Sequence, residues 1–326
     1  MEVVAARNVN EAYVLGIRKL LDHGKIQQSR VGEVLVLAEP CTTVYKWPQE
    51  RVLFNVDRDC NPFFHMMEAM WMLAGRNDVK WIGQFNSTFH QFSDNGKTFH
   101  GAYGHRWRNW WRFDQLVEVI DLLKKDPETR RAVLTMWDPY TDLNFKGKDF
   151  PCNMVIHFEI RFGRLRMIVH CRSNDIIWGA YGANAVHMSI LQEYIAAMVG
   201  VPMGKYYQVS DNFHAYTEVL GKLKVPDPAP YDPYDLREVT SMPMVEDPET
   251  WGADLDHFFE DPYEGPYSNS FFNQTLVSMY MAWFSHKDKR YNSALHQCSR
   301  ILAPDWRRAC TEWITRRQKN YEAKGS

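Results

Sequence analysis

The sequence has no apolar run long enough to cross a lipid bilayer, which argues against a transmembrane helix. Its first residues, MEVVAARNVNEAYVL, lack the basic region and apolar core that mark a secretory signal peptide. Together these two absences predict a cytoplasmic protein.

Cysteine is scarce, and charge of one sign does not dominate. The six cysteines are far apart and show neither a CxxC pair nor zinc-ligand spacing, so we expect reduced thiols and no metal site. The formal net charge is −2 and the isoelectric point is about 6.6. This balance argues against a nucleic-acid polymer as partner.

Residues 151–184 form the most informative stretch, because apolar and polar side chains alternate there on both sides of a turn at residues 162–164. Alternation of this kind predicts a β-hairpin. The hairpin would bring Arg172 and Ser173 next to Cys152. Since a nearby guanidinium lowers the pKa of a thiol, Cys152 is a candidate nucleophile.

A second candidate lies in a predicted helix that begins at Pro62 and ends at Gly75. Nearly all of its residues are apolar, so the helix should be buried, yet Glu68 lies in its middle. A buried carboxylate is costly unless it has a partner. Glu68 is therefore either a hydrogen-bonded structural residue or an acid–base group that faces a pocket.

Three other sets of polar residues allow both a structural and a functional interpretation. Arg30 lies in a turn that is most simply a solvated loop. Arg130 and Arg131 precede a predicted strand, either as surface charge or as a phosphate clamp. His214 and Tyr216 follow another strand and could cap a turn. No role is assigned to His187, which lies in a long apolar helix predicted at residues 185–200.

We expect a single domain that spans residues 1–326. Residues 225–268 are rich in proline and acidic residues and predict a long connection without a core of its own. A helical extension is predicted at about residues 270–320.

Taken in order, these motifs resemble the thymidylate synthase superfamily over roughly residues 28–220. The motifs are Arg30–Gly32, the Glu68 helix, Tyr103–Gly104, the DPETRR segment with Arg130 and Arg131, Pro151–Cys152, Arg172–Asp175, Gly179, and His214 with Tyr216. Any one of them is weak, but their order makes the resemblance specific.

The resemblance implies an α/β (α+β) fold with a mixed sheet, flanking helices and a homodimer formed through the sheet. It also implies that 5,10-methylenetetrahydrofolate supplies a one-carbon unit to C5 of a pyrimidine nucleoside monophosphate, with no metal. Cys152 would attack C6 of the base, and Glu68 and Tyr103 would manage water and protons near the base. Arg172 would be the fourth catalytic residue.

Most of the other implied roles concern the nucleotide, and Asp175 would contact the folate. Arg130 and Arg131 would reach the phosphate from the partner subunit, and His214 with Tyr216 would hold the sugar. The implied nucleotide-binding residues are Arg30, Arg130, Arg131, Arg172, Ser173, Asn174, Ala183, Asn184, His214 and Tyr216.

The sequence departs from the thymidylate synthase pattern in three places. The residue after the nucleophile is Asn153 rather than histidine, and counting from Gly179 puts Ala183, with Asn184 one step later, at the position of the family's base-reading asparagine. The chain also has about 90 further residues where family members end soon after the core with a short apolar tail.

These departures resemble the cytidylate and deoxycytidylate hydroxymethylases, in which water captures the one-carbon unit. We therefore expect a hydroxymethyltransferase that acts on CMP or dCMP. The alternatives are a methylase of the thymidylate synthase type, a hydroxymethylase of dUMP, or an inactive relative that binds nucleotides or RNA.

Overall fold

The predicted hairpin forms the middle of a six-stranded mixed sheet in the computed structural model, which describes residues 1–224, 227 and 231–325. A smaller sheet has four strands. The strands are β1 (Glu2–Ala6), β2 (Lys25–Gln28), β3 (Glu33–Val36), β4 (Cys41–Tyr45), β5 (Val133–Thr135), β6 (Asn153–Arg161), β7 (Arg164–Cys171), β8 (Asn174–Asp175), β9 (Met203–Ser210) and β10 (Phe213–Tyr216).

The large sheet has the order β1-β4-β9-β7-β6-β5, in which β1 runs parallel to β4 and β7 parallel to β9. The small sheet has the order β2-β3-β10-β8. Because β7 leads into β8 and β9 leads into β10, the two sheets meet where these strands end. The mixed α/β architecture predicted from the sequence is confirmed.

The turn of the hairpin consists of Phe162 and Gly163, which both have positive φ angles, 52° and 71°. Two such residues match the right-handed twist of the flanking strands. The register is irregular between Asn153 and Val155, directly after Cys152. At this end the backbone N–H of Arg172 donates to the carbonyl of Cys152 at 3.0 Å, so the two residues are neighbours as predicted.

The helices pack against one face of the large sheet. They are α1 (Val9–His23), α2 (Pro62–Leu73), α3 (Val79–Ile82), α4 (Tyr103–Arg108), α5 (Gln115–Lys125), α6 (Pro139–Asp142), α7 (Asn184–Val199), α8 (Thr217–Leu220), α9 (Pro248–Glu260), α10 (Val277–Lys287), α11 (Tyr291–Ser299) and α12 (Pro304–Gly325). A 3₁₀-helix (Phe89–Phe92) and π-helices at Ile176–Ala183 and Phe272–Leu276 complete the set.

Helix α2 is buried along its whole length, as its composition predicts. The Asn61 side chain caps its N-terminus by accepting from the backbone N–H groups of Phe63 and Phe64. Helix α4 approaches it so closely that a Cβ atom on Gly104 would lie 1.9 Å from the carbonyl oxygen of Met72. This close packing brings Tyr103 to the same side of the molecule as Glu68.

The C-terminal helices pack behind α2. The Phe63 ring lies 5.8 Å from the ring of Trp283 on α10 and 5.7 Å from that of Trp313 on α12. The connection predicted at residues 225–268 contains α9, which its composition did not indicate. Residues 225, 226 and 228–230 of that connection lie outside the described residues.

Within the described part of the chain, no helix is both long and apolar enough to span a membrane.

Candidate active site

Two adjoining cavities meet at Cys152. The polar cavity has a volume of about 640 Å³, and the apolar cavity has a volume of about 390 Å³. The polar cavity is lined by residues that include Arg30, Trp137, Cys152, Arg172, Ser173, Asn212, His214 and Tyr216. The apolar cavity is lined by residues that include Glu68, Trp71, Phe99, Tyr103, Cys152, Asn174, Asp175, Trp178, Ala183, Asn184 and His187.

Cys152 is half-buried at the start of β6, where both cavities reach it. Burial raises the pKa of its thiol, and the positive charges of Arg172 and Arg30 oppose this shift without reversing it. The predicted lowering of this pKa is therefore wrong for the free protein, because desolvation of a thiolate outweighs the guanidinium attraction.

The polar cavity gathers positive charge from two different elements. Arg30 lies in the β2–β3 turn, and Arg172 lies between β7 and β8. The Arg172 guanidinium donates from Nε to the carbonyl of Pro151 at 3.1 Å and lies 5.6 Å from the centre of the Trp137 ring. A guanidinium held in this way suits a phosphate, and the family resemblance implies nucleotide binding for both arginines.

His214 and Tyr216 lie on β10 at the other side of the polar cavity, with their rings 5.6 Å apart. Arg130 and Arg131 are exposed on the segment before β5, and neither is among the residues that line this cavity within one chain. Their predicted contact with the phosphate thus depends on a second subunit.

The apolar cavity contains the acid predicted on α2. Burial raises the pKa of Glu68 to about 8, and no charged group counters this effect. Burial likewise raises the pKa of Tyr103, whose hydroxyl accepts a hydrogen bond of 3.4 Å from the backbone N–H of Asn153. The Glu68 side chain is therefore mostly the protonated, neutral carboxyl at pH 7. A modest rise in pH converts it to the carboxylate, which can act as a base.

A chain of buried amides crosses the floor of the apolar cavity. The Asn153 side chain donates to Asn184 Oδ1 at 3.1 Å, and Asn184 Nδ2 donates to Asn174 Oδ1 at 3.1 Å. Asn174 in turn donates to the Ser210 hydroxyl at 2.9 Å. Each amide is oriented by its neighbours, so Asn184 presents a defined acceptor and donor to the cavity.

The π-helix before α7 explains why Asn184 occupies this place. Its backbone N–H donates to the carbonyl of Gly179, five residues earlier, which adds one residue to the turn. Counting from Gly179 with ordinary spacing selected Ala183, and that residue also lines the cavity. The residue in the amide chain, however, is Asn184.

Asp175 begins the same turn. Its Oδ1 accepts from the backbone N–H groups of Ile177 and Trp178 at 2.8 and 2.7 Å, whereas its Oδ2 is buried without a hydrogen-bond partner. The Trp178 ring is 54% exposed at the mouth of the apolar cavity, and the Arg58 guanidinium lies 4.1 Å from its centre. An open acceptor beside an exposed aromatic ring suits a flat, nitrogen-rich ligand.

His187 was assigned no role from the sequence, yet it lines the apolar cavity with its Nε2 atom 3.2 Å from Glu68 Oε2. It follows Asn184 by three residues on α7, so both residues face the same way. That spacing was the signal that could have identified His187. Arg58, which contacts Trp178, was also missed and had no comparable signal.

Among the described residues, no group of three or more His, Cys, Asp or Glu side chains is placed to hold a metal ion.

Comparison with known proteins gives a consistent result. Residues 11–226 match the family model described as thymidylate synthase. A protein of Pseudomonas phage M6 named deoxyuridylate hydroxymethyltransferase is 44% identical over 346 aligned residues, covering 99% of this chain and 97% of the relative. The protein of the same name from Bacillus phage SP01 is 38% identical over 64% of this chain and 57% of its own length. The one from Delftia phage PhiW-14 is 30% identical over 66% of this chain and 62% of its own length.

Proposed function

The chain belongs to the thymidylate synthase family and is a one-carbon transferase, and we propose that it adds a hydroxymethyl group to C5 of dUMP. The family uses 5,10-methylenetetrahydrofolate as co-substrate, which supplies the one-carbon unit. The observation that carries the choice of dUMP is the position of Asn184 in the buried amide chain.

Asn184 has one lone pair on Oδ1 and one hydrogen on Nδ2 that the amide chain does not use. An acceptor beside a donor complements the N3–H and the O4 of uracil. Cytosine presents the reverse order, an acceptor at N3 and a donor at N4. To pair with cytosine the Asn184 amide would have to turn over, and the amides of Asn153 and Asn174 would have to turn over with it to keep their hydrogen bonds.

The cytosine preference expected from the sequence depended on Ala183 at the base-reading position, on Asn153 and on the long C-terminal continuation, and no finding confirms that preference. The position of Asn184 and the names of the phage relatives both support uracil instead.

In the proposed reaction the two cavities bind different parts of the substrates. The polar cavity, with Arg30, Arg172 and Ser173, would bind the phosphate, and His214 with Tyr216 would hold the sugar. The base would lie over Asn184, which places C6 near Cys152. The thiolate of Cys152 then forms a bond to C6 and makes C5 nucleophilic.

Asp175 and Trp178 would bind the folate at the mouth of the apolar cavity, next to the base. Cavity walls that include Trp71 and Phe99 would exclude bulk water from the reacting atoms. Glu68 would take the proton of the water molecule that captures the one-carbon unit. Capture by water rather than hydride is what separates hydroxymethylation from methylation.

The proposed enzyme is a homodimer, in which Arg130 and Arg131 complete the phosphate site of the partner. The support for this is the uncovered face of the large sheet. Alternate strand residues on that face are half-exposed and mostly apolar, namely Thr42, Val44, Ile168, His170, Tyr207 and Val209. A closed two-fold dimer would bury this surface.

The test is a panel of nucleotides with methylenetetrahydrofolate, followed by mass measurement of each product. We expect hydroxymethylated dUMP, little product from CMP or dCMP, and no dihydrofolate. A methylated product accompanied by dihydrofolate would show a methylase, and faster conversion of dCMP than of dUMP would overturn the assignment of the base.

A further inference from the structure

The only hydrogen-bonding side chain that lies beside Glu68 Oε2 among the described polar contacts is that of His187. Its Nε2 atom is 3.2 Å from this oxygen, and the two residues are only 3% and 9% exposed. Neither atom makes a hydrogen bond of regular geometry in the described structure, either to the other or to a third group. Two buried polar atoms so close together satisfy each other only if one proton lies between them.

The protonation of the His187 ring decides which residue carries that proton. Burial lowers the pKa of His187 to about 3, so the ring is neutral and has a single N–H group. The ring also has a hydrogen bond with the backbone of His65, which raises its pKa slightly. A ring N–H that donates to the His65 carbonyl leaves Nε2 as an acceptor, and the shared proton then belongs to Glu68.

Other ionisable groups reach the same cavity from several elements. They are Tyr103 on α4, Lys148 and Asp149 in the loop before β6, Cys152, and Asp175 on β8. On the helices packed behind α2, the charged groups are those of α10 and α12, including Arg316 and Arg317, which pair with Asp59. None of these groups shifts the pKa of Glu68, which burial raises.

We propose that His187 is a positioning residue that accepts a hydrogen bond from Glu68 and so holds on the carboxyl the proton taken from the attacking water. This inference rests on the proposed function, since it assigns a partner to the base of that reaction. It makes Glu68 a stronger base, because the protonated form gains a hydrogen bond that the carboxylate cannot make with a neutral acceptor.

The proton step starts from the ionised carboxylate of Glu68, after its resting proton has left to solvent, and it then balances without any further reactant. The water oxygen forms a bond to the one-carbon unit at C5 while one of its O–H bonds breaks, and that proton goes to Glu68. The electron pair displaced from the exocyclic double bond moves into the ring and expels Cys152 from C6 as a thiolate. His187 accepts the hydrogen bond of the new carboxyl O–H and remains neutral throughout.

The test is a pH titration of Glu68 in the free protein, in which the infrared band of its protonated carboxyl is the measured signal. The band is identified by its loss in Glu68→Gln. In His187→Gln the amide can turn an N–H toward the carboxylate and stabilise the ionised form. We expect the midpoint to fall by about one pH unit or more relative to the wild type.

His286→Gln is the matched control, because His286 on α10 is also a neutral histidine whose pKa is lowered by burial, to about 4, and it packs against Trp313. We expect no shift of the Glu68 midpoint in this variant. His187→Asn serves as a second variant if His187→Gln does not fold, because Asn retains a donor near the His65 carbonyl and ends short of Glu68. An unchanged midpoint in a folded His187 variant would overturn the proposal.

Turnover separates this proposal from the proposed function. We expect His187→Gln to lower kcat for hydroxymethyl product by about tenfold or more while KM for dUMP stays near the wild-type value. If the midpoint shifts but turnover stays at the wild-type rate, the contact between His187 and Glu68 is supported. In that case Glu68 is not the base of the reaction, which contradicts the proposed function. Lost turnover with an unchanged midpoint would mean that His187 acts directly on the substrate, which also overturns the proposal.

Discussion

Replacing Asn184 by alanine perturbs base recognition and stability together. The substitution removes the acceptor of Asn153 Nδ2 and the donor to Asn174 Oδ1, and both of these partners are buried. A buried polar group left unpaired costs about 1–3 kcal/mol. With two such groups, we expect Asn184→Ala to lower the free energy of unfolding by about 2–6 kcal/mol.

The same substitution should weaken catalysis with dUMP more than with dCMP. A uracil ring that loses both contacts to the Asn184 amide should lose about 10–10²-fold in kcat/KM, whereas cytosine has no matched pair to lose. The measurement is the ratio of kcat/KM for the two nucleotides in direct competition. Unfolding in urea provides the stability change in the same preparations.

Asn212→Ala is a suitable control, because the Asn212 side chain lines the polar cavity and only its backbone carbonyl, which the substitution retains, contacts the amide chain, through the Asn174 N–H at 2.9 Å. We expect the ratio of the two nucleotides to stay unchanged there. If Asn184→Ala keeps the wild-type preference for dUMP, the amide does not read the base, and the argument from the π-helix fails.

Three other substitutions test separate parts of the site. Cys152→Ser should abolish turnover but retain dUMP binding by calorimetry, because a serine hydroxyl is not an effective nucleophile without a base beside it; appreciable turnover would exclude covalent catalysis by Cys152. Arg172→Ala should weaken dUMP binding by about 10–10²-fold through loss of a charge-assisted contact, and an unchanged dissociation constant would remove it from the phosphate site. Glu68→Gln should lower hydroxymethyl product by about 10²–10⁴-fold. The pKa of Glu68 is raised to about 8 in the folded protein, so the wild type should lose stability relative to Glu68→Gln as pH rises from the unfolded pKa toward 8. Urea unfolding at several pH values measures this difference in stability. A difference that does not change with pH would contradict the raised pKa.

Local patterns in the sequence were sufficient to predict the elements that carry the site. The alternation around Phe162 and Gly163 located the hairpin, and the apolar run after Pro62 located a helix that is buried throughout. In both cases the periodicity of apolar residues directly reflects the burial of one face or of all faces.

Spacing along the chain was less reliable than periodicity. The count from Gly179 along the family pattern put Ala183 at the base-reading position, with Asn184 one step later, and the residue that joins the amide chain after the π-helix is Asn184. A single inserted residue in a helix is visible only through its hydrogen bonds, so no pattern of residue types shows it.

Electrostatic predictions failed where they depended on burial. A neighbouring Arg172 led us to expect a lowered pKa for Cys152, but the thiol is desolvated enough that its pKa rises. His187 was overlooked for a related reason, since its effect depends on a neighbour from α2 that lies far away in the sequence. Arg130 and Arg131 lie outside the polar cavity of their own chain, and their predicted target belongs to a second subunit.

The central claim, that water captures the one-carbon unit on dUMP, is tested most directly by a reaction carried out in water enriched in heavy oxygen. The account predicts that the hydroxymethyl group of the dUMP product carries the heavy oxygen in proportion to the enrichment, with no dihydrofolate formed. A product without the heavy oxygen, or a methyl product formed together with dihydrofolate, would contradict it.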